Sequence, residues 1–462
     1  MGLTFYIGKP GSGKTRSLLL TLIDAAERDP SGNYLILVPE QFTMQTQKEL
    51  LRLHPAHGTL NIDVLSLNRL AFRVFAETGT DTGELLEEIG KTFLLEKTAL
   101  EERKNLSWFG EKLAKPGNLA EMKAMISELL LYGVTPEQLL SVLTEEEKER
   151  KTPLFGKLTD LSAIYRKFQE KIAGHYMTAE EIPSVLASVA ERSDLLKESV
   201  IALDGFTGFT PLQLELLKKL IPLAREVHVT VTADPDGALF AERPSRDLFF
   251  LSSGMLRDLK RIAEETRTPV REVRRIRDEG QGRLSHSKEL SFLERTLFRP
   301  GRETFPGTEV RDLRIRVSRG PREETAEAAL LINRAVREKG YRFRDIAVLT
   351  GDPDTYGDFV RELFPHAGIP FFVDEKRSLL HNPYIEYLRA ALEACGSGYS
   401  YDSMMRLLKS GASDFEPGDI SHLENYLLAA GVRGKNRWRT VWVRHYAGED
   451  PAEVPLLERL RK

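Results

Sequence analysis

Short runs of apolar residues alternate with amphipathic stretches through the opening part of the chain, the rhythm of a parallel α/β unit. Residues 3–7 read as a buried strand and 14–28 as a helix stopped by Asp29-Pro30-Ser31-Gly32. Residues 34–38 then read as a strand, 40–53 as a helix, 62–65 as a third strand and 67–77 as a further helix. From about Gly83 to Leu196 apolar residues recur at spacings of three and four, charge is dense and strand signals are few, which predicts a helical insertion. Within it, Thr135-Pro136-Glu137-Gln138 and Thr178-Ala179-Glu180-Glu181 read as helix starts, a hydroxyl followed by acids in the first turn. The α/β rhythm returns at 200–203 (strand), 211–220 (helix) and 227–231 (strand), so one sheet is interrupted by helices and completed after them.

Residues 234–311 form a charged connector in which Arg271, Arg274, Arg275 and Arg277 read as a solvated helix face. A second α/β block follows, with strands at 313–317, 346–350 and 371–373 and helices at 323–339 and 356–364; beyond Pro383 the pattern is helical again. The division expected is therefore 1–82, 83–196 (helical insertion), 197–300, 301–382 and 383–462. Leu457-Glu458-Arg459-Leu460-Arg461-Lys462 ends inside a helical pattern with no cap or breaker, and the expectation is that the natural chain continues.

Composition narrows the class. With 41% hydrophobic and 29% charged residues the chain can bury a sizeable core, which excludes a largely disordered polymer. The formal charge of −3 means that any nucleic-acid contact depends on local patches rather than a bulk field. A single cysteine, Cys395, rules out a disulfide framework or a multi-cysteine metal site within these residues and suits a reducing compartment. No stretch reaches the ~20 apolar residues that span a bilayer, and no basic then apolar leader opens the chain. A cytoplasmic protein with no membrane partner is expected.

Gly8-Lys9-Pro10-Gly11-Ser12-Gly13-Lys14-Thr15 fits the G-x-x-x-x-G-K-[ST] phosphate loop, between a predicted strand and a predicted helix as its mechanism requires. Glycines let successive amides converge on a β-phosphate while the helix adds its positive end. The nucleotide-binding candidates are Gly8, Gly11, Ser12, Gly13, Lys14 and Thr15, with Lys14 on the β- and γ-phosphates and Thr15 on Mg²⁺. Asp204, ending the strand at 200–203, is the second candidate for Mg²⁺.

Asp204-Gly205-Phe206-Thr207-Gly208-Phe209-Thr210-Pro211-Leu212-Gln213 resembles the D-E-F-Q-D-T-x-P-x-Q segment of UvrD-like superfamily 1 helicases, and more closely the form found in the AddB family. Val38-Pro39-Glu40-Gln41-Phe42-Thr43, the 345–349 segment with Tyr356, Ile369-Pro370-Phe371-Phe372-Val373-Asp374 and the 423–434 segment agree with it in order. The resemblance implies two RecA-like parallel-sheet domains with helical insertions, use of ATP and Mg²⁺, and single-stranded DNA crossing the loops. It places Gln41, Phe42, Thr43, Ser66 and Arg69 as DNA contacts, the alternatives being core packing for Phe42 and a solvated helix face for Arg69.

The resemblance further implies an AddA-type partner in a heterodimer, resection of double-strand DNA ends for homologous recombination, and recognition of Chi. The family's nuclease and iron–sulfur cluster belong to a C-terminal region with four cysteines, so neither is expected among these residues. Two departures stand out: Gly205 occupies the position of the water-polarising glutamate, and Gly351 the position where an arginine stabilises transferred phosphoryl charge. No residue is therefore assigned a catalytic role, and hydrolysis by this chain is in doubt; an active DNA-dependent translocating ATPase is the alternative.

Overall fold

The computed structural model describes residues 2–110, 116–144, 146, 150, 152–277, 282–299, 301, 303–374, 379–442 and 457. They divide into two units, Met1–Arg314 and Ile315–Lys462.

The first unit is built on a six-stranded parallel sheet of order β3-β2-β6-β7-β1-β8. Its strands are β1 (Leu3–Gly8), β2 (Tyr34–Leu37), β3 (Ile62–Leu65), β6 (Val200–Leu203), β7 (Glu226–Thr232) and β8 (Val270–Ile276); β4 (Glu84–Leu86) and β5 (Tyr176–Thr178) pair separately. Both faces of the sheet are covered, which is why β2 and β6 read as unbroken apolar runs. Leu3, Phe5 and Ile7 of β1 face one core with Leu35, Leu37, Ile201, Leu203, Val227 and Val229. Helices α1 (Lys14–Arg28), α2 (Thr43–Leu53) and α3 (Leu67–Thr78) follow the first three strands in turn. Tyr6 faces the other core, with Ile36, Val200, Ala202 and the α1 residues Leu18, Leu19 and Leu22.

The helical insertion has its own core, where α4 (Glu88–Glu102), α5 (Pro116–Leu131), α6 (Pro136–Ser141) and α7 (Pro153–Ile172) bring together Leu95, Met122, Ile126, Ile164 and Phe168. Two buried charges lock it. Asp160 on α7 accepts the amides of Ser107, Trp108 and Phe109 at 3.0, 2.7 and 2.9 Å. Lys91 on α4, fully buried, donates to Glu180 at 2.7 Å, Glu88 at 3.0 Å and Ser127 at 3.1 Å. The predicted start at Thr135 is a helix cap with a full capping box. Thr178 instead ends β5, its amide and hydroxyl both bonded to Glu181, and the helix α8 (Ile182–Val189) begins after Glu181. Beyond the insertion, α9 (Pro211–Leu223) and α10 (Phe250–Glu265) follow β6 and β7, and α11 (Lys288–Thr296) follows β8.

Two sequence expectations need correcting. The arginines at 271–277 lie on or just past a strand, β8, at the edge of the sheet, where charge hides an open ladder from further pairing. Each has a partner: Arg271 with Glu226 at 2.6 Å, Arg274 with Glu272 at 2.7 Å, Arg275 with the Pro235 carbonyl and Arg277 with Asp236 at 2.9 Å. The segments 313–317, 346–350 and 371–373, expected as strands, join no ladder among the described residues. Ile315, Val317, Leu349 and Phe372 are exposed there, so among the described residues no layer covers the apolar pattern that suggested strands. Two helices of the second unit, α12 (Pro321–Lys339) and α13 (Pro353–His366), pack around Ala329, Ile332, Phe364 and Ile369. A separate helical cluster centres on Leu423, Tyr426 and Leu427.

Candidate nucleotide-binding site

The glycine-rich segment 8–15 lies between a strand and a helix, as the sequence pattern predicts. β1 runs buried from Leu3 to Gly8, the loop turns over 9–13, and α1 starts at Lys14. Gly11 and Gly13 take φ of 76° and 92°, the left-handed region that a side chain disfavours. Gly8 is required for a different reason, because an added Cβ would come within 2.4 Å of Ser12 Oγ and 2.7 Å of the Ile276 carbonyl. The Ser12 hydroxyl inside the turn is buried and has no hydrogen-bond partner among the described residues, an orphan that calls for a ligand. Lys14 Nζ donates to the Lys9 carbonyl at 2.9 Å, arched back over the loop. Burial pulls the Lys14 ammonium down to about 8, with the charge of Asp204 pushing the other way.

Asp204, 189 residues further along the chain than Thr15, meets it directly: Thr15 Oγ1 donates to Asp204 Oδ1 at 3.0 Å. The carboxylate is 6% exposed and stands at the end of β6, with β7 between that strand and β1. A hydroxyl and a carboxylate oxygen suit Mg²⁺, a hard cation that keeps waters and shares phosphate oxygens and so needs few protein ligands. The donor set and the orphaned Ser12 hydroxyl fit a metal-bound phosphate. A residue that the sequence pattern did not single out joins them: Thr230 of β7 donates to the same Asp204 oxygen at 2.5 Å. Its only signal in the sequence is a hydroxyl within the apolar strand 227–231.

Beside the loop opens a cavity of about 750 Å³ lined by Lys9, Pro10 and Ser12 and walled by Ile276, Phe292 and Phe305. Helix α11 carries Phe292 and Glu294; Glu294 lies 3.7 Å from Lys9 Nζ, and the Arg283 amide donates to the Gly11 carbonyl at 3.2 Å.

The DNA candidates occupy the loops after β2 and β3. Gln41 and Phe42 sit in the single turn Glu40–Phe42, Gln41 exposed and Phe42 42% exposed. Thr43 is buried with its hydroxyl on the Glu40 carbonyl, and Ser66 is buried as the cap of α3, accepting the Arg69 amide at 3.3 Å. Both hydroxyls therefore already serve their own turns, while the Arg69 side chain is exposed. Gly205 has φ 78°, and a Cβ there would lie 3.8 Å from the Phe42 ring, so backbone conformation rather than space opposes a side chain. Gly351 belongs to the second unit, where a Cβ would meet nothing within 4 Å.

A glycine loop between strand and helix, with an acid closing a strand two places away in a parallel sheet, defines a P-loop α/β protein of RecA-like type. The chain belongs to the family described as ADDB, N-terminal, whose model matches residues 5–294. It is 39% identical over 465 residues to the B subunit of the ATP-dependent helicase/deoxyribonuclease of Lachnoclostridium phytofermentans, covering 100% of this chain and 40% of that protein. The B subunits of the same name from Symbiobacterium thermophilum and Alkaliphilus metalliredigens are 34% and 32% identical, over 100% and 94% of this chain and 40% and 37% of theirs. This chain thus spans about 40% of the length of such relatives. Among the described residues no helix is long and apolar enough to cross a membrane, and no cluster of three His, Cys, Asp or Glu side chains could hold a metal on its own.

Proposed function

We propose that this chain is the helicase-like, ATP-binding region of the B subunit of an ATP-dependent helicase/deoxyribonuclease, acting with an AddA-type partner on DNA ends. The convergence of Thr15 and Asp204 beside Lys14 carries this reading, because phosphate and Mg²⁺ chemistry demands those three groups together. ATP fits with its phosphates in the loop, its Mg²⁺ on Thr15 and Asp204, and its base and sugar in the adjoining cavity. When bound, Mg²⁺ neutralises phosphate charge; the loop amides and Lys14 bind and orient the phosphates.

Glycine at 205 leaves no side chain to polarise water, so nucleotide occupancy without rapid turnover is the state this site favours. A strand of DNA crossing the loops would meet exposed Gln41, the half-exposed ring of Phe42 and Arg69, a set suited to stacking and phosphate contact. Scanning that strand for Chi, while the partner supplies the motor, suits such a site. The test is ATP turnover with and without single-stranded DNA, alongside direct binding of both. Tight binding of both with negligible turnover supports the reading; strong stimulation by DNA identifies an active motor instead.

The same site has a pH signature. Lys14 titrates at about 8 in the free protein, and bound phosphates raise its pKa by stabilising the ammonium. Binding therefore takes up protons wherever the free form is deprotonated and the complex is not. ATP affinity is expected to be flat below about pH 7 and to fall by up to about tenfold per pH unit above the free-form value. Calorimetry in two buffers of different ionisation enthalpy should show proton uptake at pH about 8.5, and pH-independent binding across that range would contradict it.

A further inference from the structure

We propose that Thr230, on the strand between the loop strand and the acid's strand, is a positioning residue that aims Asp204 at Mg²⁺. The proposal rests on the nucleotide reading above and adds to it a residue that touches neither metal nor phosphate. Parallel register sets Leu203 of β6 beside Val229 of β7 and Tyr6 of β1 beside Thr230, so Thr230 stands level with Asp204 on the face covered by α1. It is 4% exposed.

The direction of its hydroxyl follows from its neighbours. The Gly205 amide, which can only donate, points at Thr230 Oγ1 at 3.4 Å, so the single hydroxyl hydrogen goes to Asp204 Oδ1 at 2.5 Å. Thr15 donates to that same oxygen at 3.0 Å. Two donors on Oδ1 fix rotation of the carboxylate and leave Oδ2 for water on the metal. Of the two donors, the Thr15 oxygen is also the one that would be offered to Mg²⁺, whereas Thr230 is held within the sheet between β6 and β1. The same hydroxyl ties down the amide of Gly205, so the strand end is held on both sides of the Asp204 carbonyl.

Outer partners of this kind typically contribute about 10- to 100-fold to metal affinity. The experiment compares binding of a fluorescent ADP in Mg²⁺ and in EDTA for the unaltered chain, Thr230→Val, Thr230→Ser and Asp204→Asn. Thr230→Val keeps the side-chain volume, so EDTA affinity is expected to stay within about twofold of the unaltered chain while the gain from Mg²⁺ falls about tenfold or more. Thr230→Ser restores the gain, which a packing role would not predict. Should Thr230→Val not fold, Thr230→Cys, with its weaker donor, is read in its place and is expected to lose most of the gain. A Thr230→Val or Thr230→Cys protein with an undiminished Mg²⁺ gain, beside an Asp204→Asn protein that has lost it, overturns the proposal and leaves the nucleotide reading intact. Absence of nucleotide binding in the unaltered chain, or an Asp204→Asn protein with the full gain, overturns both.

Discussion

Replacing Lys14 by alanine is expected to weaken binding of a fluorescent ATP analogue on the order of a hundredfold. The ammonium stands at the start of α1, partly buried, and among the described residues it bonds to the Lys9 carbonyl. Moving it from that carbonyl onto two phosphates gains charge-assisted bonds of about 1.5 to 3 kcal/mol each, and about 3 kcal/mol together is a factor of roughly 150. Alanine keeps the helix and the glycine turns, so circular dichroism and melting should be unchanged. A variant that binds the analogue as tightly as the unaltered chain removes the basis for a phosphate site here.

The largest loss of stability is expected at Lys91, far from that site. Its ammonium is fully buried within the insertion, and Glu180, whose second carboxylate oxygen has no partner among the described residues, depends on it. Lys91→Met fills the same volume but strands the Glu180 charge, a change that typically costs about 3 to 5 kcal/mol. The melting transition of the insertion should drop by several degrees or merge into a broad unfolding. Adding Glu180→Gln removes the stranded charge, so the double variant should recover much of the loss even though it has fewer ionic bonds. If the two single losses simply add, charge burial is not the cause.

Most of the first unit was legible in the sequence because its inner strands are buried on both faces and read as short, mainly apolar runs. The strand–turn–helix at 3–28 was legible too, from its glycine spacing, whereas the meeting of Thr15 with Asp204 depends on the sheet order. β8 was not: at an edge its arginines satisfy themselves on Glu226, Glu272 and Asp236, and nothing in a run of charge distinguishes that from a solvated helix. β4 and β5, three residues each, are too short for a period to register. The expected strands of the second unit failed for the opposite reason. Val348, Leu349 and Phe372 carry the apolar signature, but a strand is made by the neighbour it bonds, and no such neighbour lies among the described residues. Thr230 escaped because its meaning is entirely cross-strand: only the register that sets it level with Asp204 gives that hydroxyl a role.

The order of the sheet also bears on how the chain is made. β1 leaves the ribosome before the other five strands of its sheet, yet its neighbours there are β7 and β8, whose residues begin at Glu226 and Val270. At about 5 to 20 residues per second, the nascent polypeptide carries that apolar segment without a partner for roughly ten to forty seconds. The insertion, whose core is drawn from residues 86–172, is complete well before β7 and can fold meanwhile. The newborn molecule therefore spends its early life as a finished helical knob joined to an unfinished β-sheet, a stage at which a chaperone that holds extended apolar segments would find its target.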